Sequence, residues 1–89
     1  MLSFFRKKIS KRFKDPLNTV VFTTKFVIRE SKTITSVWHY EDDTTWQFSS
    51  DDEYENFESV AMIVTLGQVI SKDKSILEIA DLPLGYVAT

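Results

Sequence analysis

The residue types that most often carry out chemistry are scarce in this chain of 89 residues. It contains a single histidine, His39, and no cysteine, so it can form neither a thiolate nucleophile nor a thiolate metal site. A catalytic histidine needs a nucleophile and an orienting acid in reach, and no serine or carboxylate stands at a spacing that singles it out. Glycine-rich phosphate loops and metal-binding histidine pairs are absent from the sequence. We therefore expect a protein that is not an enzyme and that uses no metal or cofactor.

Carboxylates are concentrated in two runs, at residues 41–43 and 51–58, and neither run contains a lysine or an arginine. Such dense like charge repels itself, so a solvated loop, or a frayed helix that starts near Ser50, is the plainest interpretation. A calcium loop is disfavoured, because the D-x-[DN]-x-[DN]-G pattern with its turn glycine does not occur. The sharper hypothesis is an acidic surface towards which a positively charged protein is steered. The residues predicted to bind such a partner are Glu41, Asp42, Asp43, Asp51, Asp52, Glu53, Glu55 and Glu58.

A basic segment, residues 1–14, precedes the acidic part of the chain. It carries six lysines and arginines, whereas residues 15–89 have a net charge of −8. The apolar residues Leu2, Phe5, Ile9 and Phe13 recur at helical spacing, and Asp15 before Pro16 would end such a helix. Three interpretations stay open: a short helix packed on the sheet, a disordered segment, or a basic amphipathic helix that meets an anionic membrane or nucleic acid. The third would use Arg6, Lys7, Lys8, Lys11, Arg12 and Lys14.

Length and composition indicate one small domain, at residues 16–89, preceded by the basic segment at residues 1–15. Charges interrupt every apolar run near the start, so a signal peptide is not expected. No apolar run approaches the roughly 20 residues of a membrane-spanning helix. The lack of cysteine fits a reducing compartment, and we expect a cytoplasmic protein.

The two carboxylate runs flank an aromatic stretch, residues 34–48, whose alternating pattern predicts a β-hairpin. If Trp38 and Tyr40 share a face with Trp46 and Phe48, then directly paired residues must have numbers with an even sum. That register needs a loop of three or five residues, and it places His39 on the opposite face. Because burying such rings is worth a few kcal/mol each, we expect alanine at Trp38 or Trp46 to be among the most destabilising changes.

The remaining elements are short. Strands are predicted at residues 18–23, 59–64 and 86–89, and helices at residues 66–70 and 74–79, with Thr65 and Asp73 as N-caps. Residues 25–28 could form one helical turn capped by Thr23 or Thr24, or they could continue the first strand. The predicted fold class is α+β: a small, mostly antiparallel β-sheet with a central Trp-rich hairpin, covered by two short helices near the C-terminus.

Several short segments of the sequence resemble those of a known family. They are Trp46-Gln47-Phe48, Val37-Trp38-His39-Tyr40-Glu41-Asp42 and Asp81-Leu82-Pro83-Leu84-Gly85. On these, residues 20–88 resemble a small bacterial family of unknown function that is grouped by gene neighbourhood with immunity proteins of polymorphic toxin systems (immunity protein 33-like). One departure is Thr44, which stands where a turn glycine is expected.

The resemblance implies a protein that binds and neutralises a cognate bacterial toxin through an exposed complementary surface, without chemistry of its own. An acidic protein suits a basic toxin domain, because its carboxylates can occupy a phosphate-binding surface. The alternative hypothesis is a peripheral adaptor that uses the basic segment. A small hydrolase that uses His39 is a third and weaker hypothesis.

Overall fold

The computed structural model describes residues 11–89, and its strands form one five-stranded sheet. Each element is short, with five residues in the longest strand and seven in the longest helix. In chain order the elements are β1 (Val20–Thr24), α1 (Lys25–Arg29), β2 (Ser36–His39), β3 (Trp46–Ser49), a 3₁₀ turn (Phe57–Ser59), β4 (Ala61–Thr65), α2 (Leu66–Lys72), a 3₁₀ segment (Lys74–Ile79) and β5 (Val87–Ala88).

The strand order is β4-β1-β3-β2-β5, which places the hairpin of β2 and β3 at the centre. Only β1 and β3 run parallel, and the other neighbouring strands are antiparallel. A parallel pair needs a crossover connection, which here consists of α1 and β2. The predicted α+β class, the mostly antiparallel sheet and the central hairpin are therefore confirmed.

Side-chain caps explain where the helices begin. Thr24 accepts a hydrogen bond from the Val27 N–H, so the chain turns into a helix after β1 instead of continuing as strand. Thr65 and Gln68 form a reciprocal capping box at the start of α2. Asp73 caps the 3₁₀ segment by accepting from the Ser75 N–H at 3.1 Å. All three caps were among the alternatives that the sequence predicted.

The core lies between one face of the sheet and the helices. Its largest side chain, Trp46, is 2% exposed, and the Phe13 ring packs edge-on against it with centroids 4.9 Å apart. Packing of the domain thus extends back to Phe13. Residues 11–15 are not helical, so the helical interpretation of the basic segment is wrong for its described part. The buried core cluster consists of Val21, Val37, Trp46, Phe48, Val64, Leu66, Val69 and Ile76.

The register of the hairpin differs from the prediction. His39 pairs with Trp46 and Trp38 pairs with Gln47, so the numbers of paired residues have an odd sum. The Tyr40 N–H donates to the Thr45 carbonyl at 2.9 Å, which closes a turn of four residues. The aromatic rings are consequently divided between the two faces. The predicted even sum is wrong because Val37 and His39, not Trp38 and Tyr40, lie beside Trp46 and Phe48 on the core side.

The opposite side of the sheet carries exposed or half-buried side chains, and we call it the open face. A row of directly paired residues crosses it from β4 to β5, in the order Ile63, Phe22, Gln47, Trp38 and Val87. Val20 and Tyr40 lie on the same face by strand alternation. Within residues 11–89, none of the helices has both the length and the apolar character that crossing a membrane requires.

Candidate functional site

A cleft of about 370 Å³ opens on the open face next to the hairpin turn. The turn contributes two carboxylates, and the sheet contributes aromatic and amide side chains. Because β1 lies beside β3, Phe22 is brought under the turn, and the 3₁₀ turn supplies Phe57 from the end of the acidic loop. The lining residues are Phe22, Tyr40, Asp42, Asp43, Thr45, Gln47 and Phe57.

The floor of the cleft is tied together by Tyr40. Its hydroxyl donates to Gln47 Oε1 at 2.9 Å. Burial raises the pKa of the Tyr40 hydroxyl, and the nearby Tyr54 and Asp43 raise it further. Tyr40 therefore stays protonated and neutral well above neutral pH, and it holds Gln47 in place as a hydrogen-bond donor.

The turn keeps its negative charge. Hydrogen bonds from Thr45 hold the pKa of Asp43 below the ordinary aspartate value, and the Thr45 N–H lies 3.0 Å from Asp43 Oδ1. Because these bonds favour the ionised carboxylate, Asp43 remains charged at a lower pH than an ordinary aspartate. Asp42 and Asp43 are both exposed, so the charge faces solvent at the mouth of the cleft.

The turn also contains backbone strain. Thr44 has a φ of +60°, in the left-handed region that β-branched residues rarely adopt. We expect Thr44→Gly to raise the free energy of unfolding by about 0.5–1 kcal/mol, since relief of strain exceeds the entropy cost of glycine. Urea denaturation measures the change. Thr44→Ala, which keeps a Cβ, is the matched control, and a loss of stability in the glycine variant would contradict the strain argument.

The other predicted acidic residues do not line the cleft. Glu41 lies beside Gly85 at the edge of β5, away from the cleft. Asp52 is half-buried, accepts a hydrogen bond from Ser50 and lies 3.9 Å from Lys32 Nζ. Asp51, Glu53, Glu55 and Glu58 are exposed in the loop and the 3₁₀ turn that lead to β4. The structure therefore unites the two aspartates of the turn with Phe57, and the remaining carboxylates do not line the cleft.

Positive charge is placed elsewhere. None of the five strands contains a lysine or an arginine. Lys25 and Arg29 belong to α1, Lys72 to α2, and Lys74 to the 3₁₀ segment, whereas Lys32, before β2, lies beside Asp52 of the acidic loop. The open face thus combines apolar side chains with acidic neighbours and has no cation within its strands.

The basic residues predicted for the alternative site are divided. Lys11 donates to the Glu78 carbonyl at 3.1 Å and forms an exposed ion pair with Asp81. Arg12 is exposed, and Lys14 lines the cleft beside His39. Arg6, Lys7 and Lys8 lie outside the described residues.

His39 occupies a second cleft of about 320 Å³ on the core side. Its Nδ1–H donates to the Leu82 carbonyl at 2.8 Å, and its ring stacks on Trp46 with centroids 3.7 Å apart. The nearby Asp15 carboxylate accepts a hydrogen bond from the Trp46 indole N–H at 3.3 Å. The partner of His39 Nδ1 is thus a backbone carbonyl, and not this carboxylate. Among residues 11–89, no three metal-binding side chains converge on one point. The contacts hold the imidazole between Trp46 and the segment at Leu82.

The sequence analysis identified the acidic turn but missed Phe22 and Phe57 as parts of the same site. Phe57 lies inside an acidic run, and a large apolar residue in such a run was the available signal that it packs on something. The chain was compared with protein-family models, curated proteins and solved structures, and none of the three comparisons finds a match. The likeness to immunity proteins therefore stays a prediction.

Proposed function

We propose that this chain is a non-catalytic protein-binding module whose acidic surface holds a basic partner, in the way an immunity protein holds its toxin. The observation that supports the proposal best is the separation of charge. Asp42 and Asp43 stand at the mouth of an aromatic cleft, on a sheet whose strands carry no lysine or arginine.

This arrangement suits recognition of a protein. Exposed carboxylates attract a basic partner over several ångströms and raise its association rate, while apolar and aromatic side chains supply contact area once it arrives. Tyr40 contributes to the contact area, since its ring lines the cleft, and its hydroxyl is held by Gln47. Salt should weaken the charge-dependent part of the binding.

The alternative, an adaptor that works through the basic segment, has less support. Phe13 packs on Trp46, and Lys11 pairs with Asp81. Both residues are therefore engaged with the domain itself, and the alternative depends on the other basic residues, Arg6, Lys7, Lys8, Arg12 and Lys14.

The proposal is tested with the proteins encoded beside the gene for this chain. Each is expressed alone and together with this chain. We expect one of them to inhibit growth alone, to lose that effect when this chain is present, and to co-purify with it.

Two charge variants then test the surface. Asp42→Asn with Asp43→Asn should weaken the purified complex about tenfold, because it removes both carboxylates that attract the basic partner at the cleft. Glu30→Gln with Glu78→Gln removes the same charge from exposed positions away from the cleft, and should leave affinity almost unchanged. Equal losses in the two variants, or no toxic neighbour that this chain neutralises, would contradict the proposal.

A further inference from the structure

We infer that the open face seats an amphipathic helix of a protein partner, with its apolar side on the row from Ile63 to Val87 and lysine or arginine side chains beside Asp42 and Asp43. This inference rests on the proposed function, because it names the structural element that the basic partner presents to the same surface.

Several exposed apolar side chains lie on the open face. Ile63 is 66% exposed, Val20 57% and Val87 49%, and all three lie on the open face. Half-buried Phe22 and Trp38 lie between them, on either side of the half-buried amide of Gln47. Single exposed apolar residues are ordinary, but several on one face of a sheet mark an interaction surface.

The backbone hydrogen-bonding groups of the inner strands are already paired within the sheet. Strands β1, β3 and β2 each have a neighbouring strand on both sides, so their N–H and C=O groups are directed within the sheet. The open face therefore offers side chains, and an extended peptide lying on it would leave its own backbone groups unpaired. A helix satisfies its backbone hydrogen bonds internally and suits such a surface.

The width of the sheet matches the length of a short helix. Four spacings of about 4.8 Å between adjacent strands make the sheet roughly 19 Å wide. A helix rises about 1.5 Å per residue, so about 12 residues span this width. The core side of the same sheet already packs against helices through Leu66, Val69 and Ile76. A bound helix would create a third layer on the other side, next to Phe57, which already lies on that face.

The carboxylates beside the open face complement a helix with basic side chains. Asp42 and Asp43 lie at one end of the open face, and Glu58 follows Phe57 directly. The strands supply no cation that could neutralise them. An apolar helix with acidic flanks would be repelled, whereas one with basic flanks is attracted.

The test uses three synthetic peptides of 14 residues. The first has leucine and phenylalanine at helical spacing with lysines elsewhere, the second has the same composition in an order without an apolar stripe, and the third replaces each lysine of the first by glutamate. Isothermal titration calorimetry measures affinity, and circular dichroism measures helix formation on binding. We expect the first peptide to bind at least tenfold more tightly than the other two and to become helical.

Variants of the full chain locate the site. Ile63→Lys on the open face should weaken the first peptide at least tenfold. Leu17→Lys is the matched control, because Leu17 is 64% exposed and lies before β1 against the first turn of α2. Val20→Lys, on the neighbouring strand of the open face, repeats the test if Ile63→Lys does not fold.

Three results would overturn the inference. If both basic peptides bind equally and the lysine variants on the open face behave like Leu17→Lys, the surface recognises charge alone, and the proposed function survives without the helix. If none of the peptides binds, the helix is rejected, and the growth assay still decides the proposed function separately. If sedimentation shows self-association that Ile63→Lys abolishes, a second copy of this chain occupies the open face.

Discussion

Replacing Trp46 with alanine is expected to lower the free energy of unfolding by about 3–5 kcal/mol, which is the usual cost of removing a large aromatic ring from a core. Trp46 is 2% exposed and lies on the central strand of the sheet. A domain of this size has a total stability of roughly 5–15 kcal/mol, so the variant would lose a large part of it.

The contacts of the indole explain the size of the effect. Phe13 packs edge-on against it at 4.9 Å between centroids, and His39 stacks on it at 3.7 Å. The indole N–H donates to Asp15 at 3.3 Å, so this ring joins the start of the described chain to the sheet. Alanine would leave a cavity and would also release Phe13 and Asp15 from their partner.

Urea and thermal unfolding measure the loss. At about 4–8 °C for each kcal/mol in a domain of this size, the midpoint of thermal unfolding should fall by at least about 12 °C. Trp38→Ala is the matched control, because Trp38 is half-buried on the open face and should cost less. If the two tryptophan variants lost the same stability, the division of the rings between the two faces would be wrong.

That division is the part of the fold that the sequence could not predict. The alternation of the hairpin indicates which residues share a face along each strand, but it does not say how the two strands are paired. Aromatic rings on both strands made the even sum attractive, because that register would gather them on one face. The actual register depends on Phe13 and on the neighbouring strand β1, both of which are distant in the sequence from the turn.

Local signals were more informative. The caps at Thr24, Thr65 and Asp73 join residues two or three positions apart, so a single sequence contains all that is needed to propose them. The turn at Gly85 is equally local, because its φ of +84° is a conformation that glycine adopts without strain. The caps do not depend on the arrangement of the strands. Those at Thr65 and Asp73 were predicted at these positions, and Thr24 was one of the alternatives left open for residues 25–28.

The candidate site contains residues that a local pattern predicts and residues that only the arrangement of the strands brings together. Asp42 and Asp43 could be predicted because an acidic run between two strands is a local pattern. Phe22 reaches the same cleft only because β1 runs parallel to β3, with α1 and β2 in the intervening crossover. A functional surface assembled across such a crossover requires the topology, which the local pattern does not contain.

His39→Ala is the second large change, with an expected loss of about 2 kcal/mol in the free energy of unfolding. The imidazole contributes in two ways that alanine removes. It stacks on Trp46 with the ring planes 11° apart, and its Nδ1–H donates to the Leu82 carbonyl. The hydrogen bond joins the hairpin to the segment that precedes β5, so its loss should also loosen that edge of the sheet.

Two further variants separate these contributions. His39→Phe keeps a ring on Trp46 but removes the donor, and His39→Gln keeps a donor but removes the ring, so each should lose part of the stability that alanine loses. Because His39 lies on the core side and the acidic cleft lies on the open face, His39→Phe should leave binding of a basic partner unchanged. A folded His39→Phe variant that no longer neutralises the partner would contradict a packing role and would point to chemistry at this imidazole.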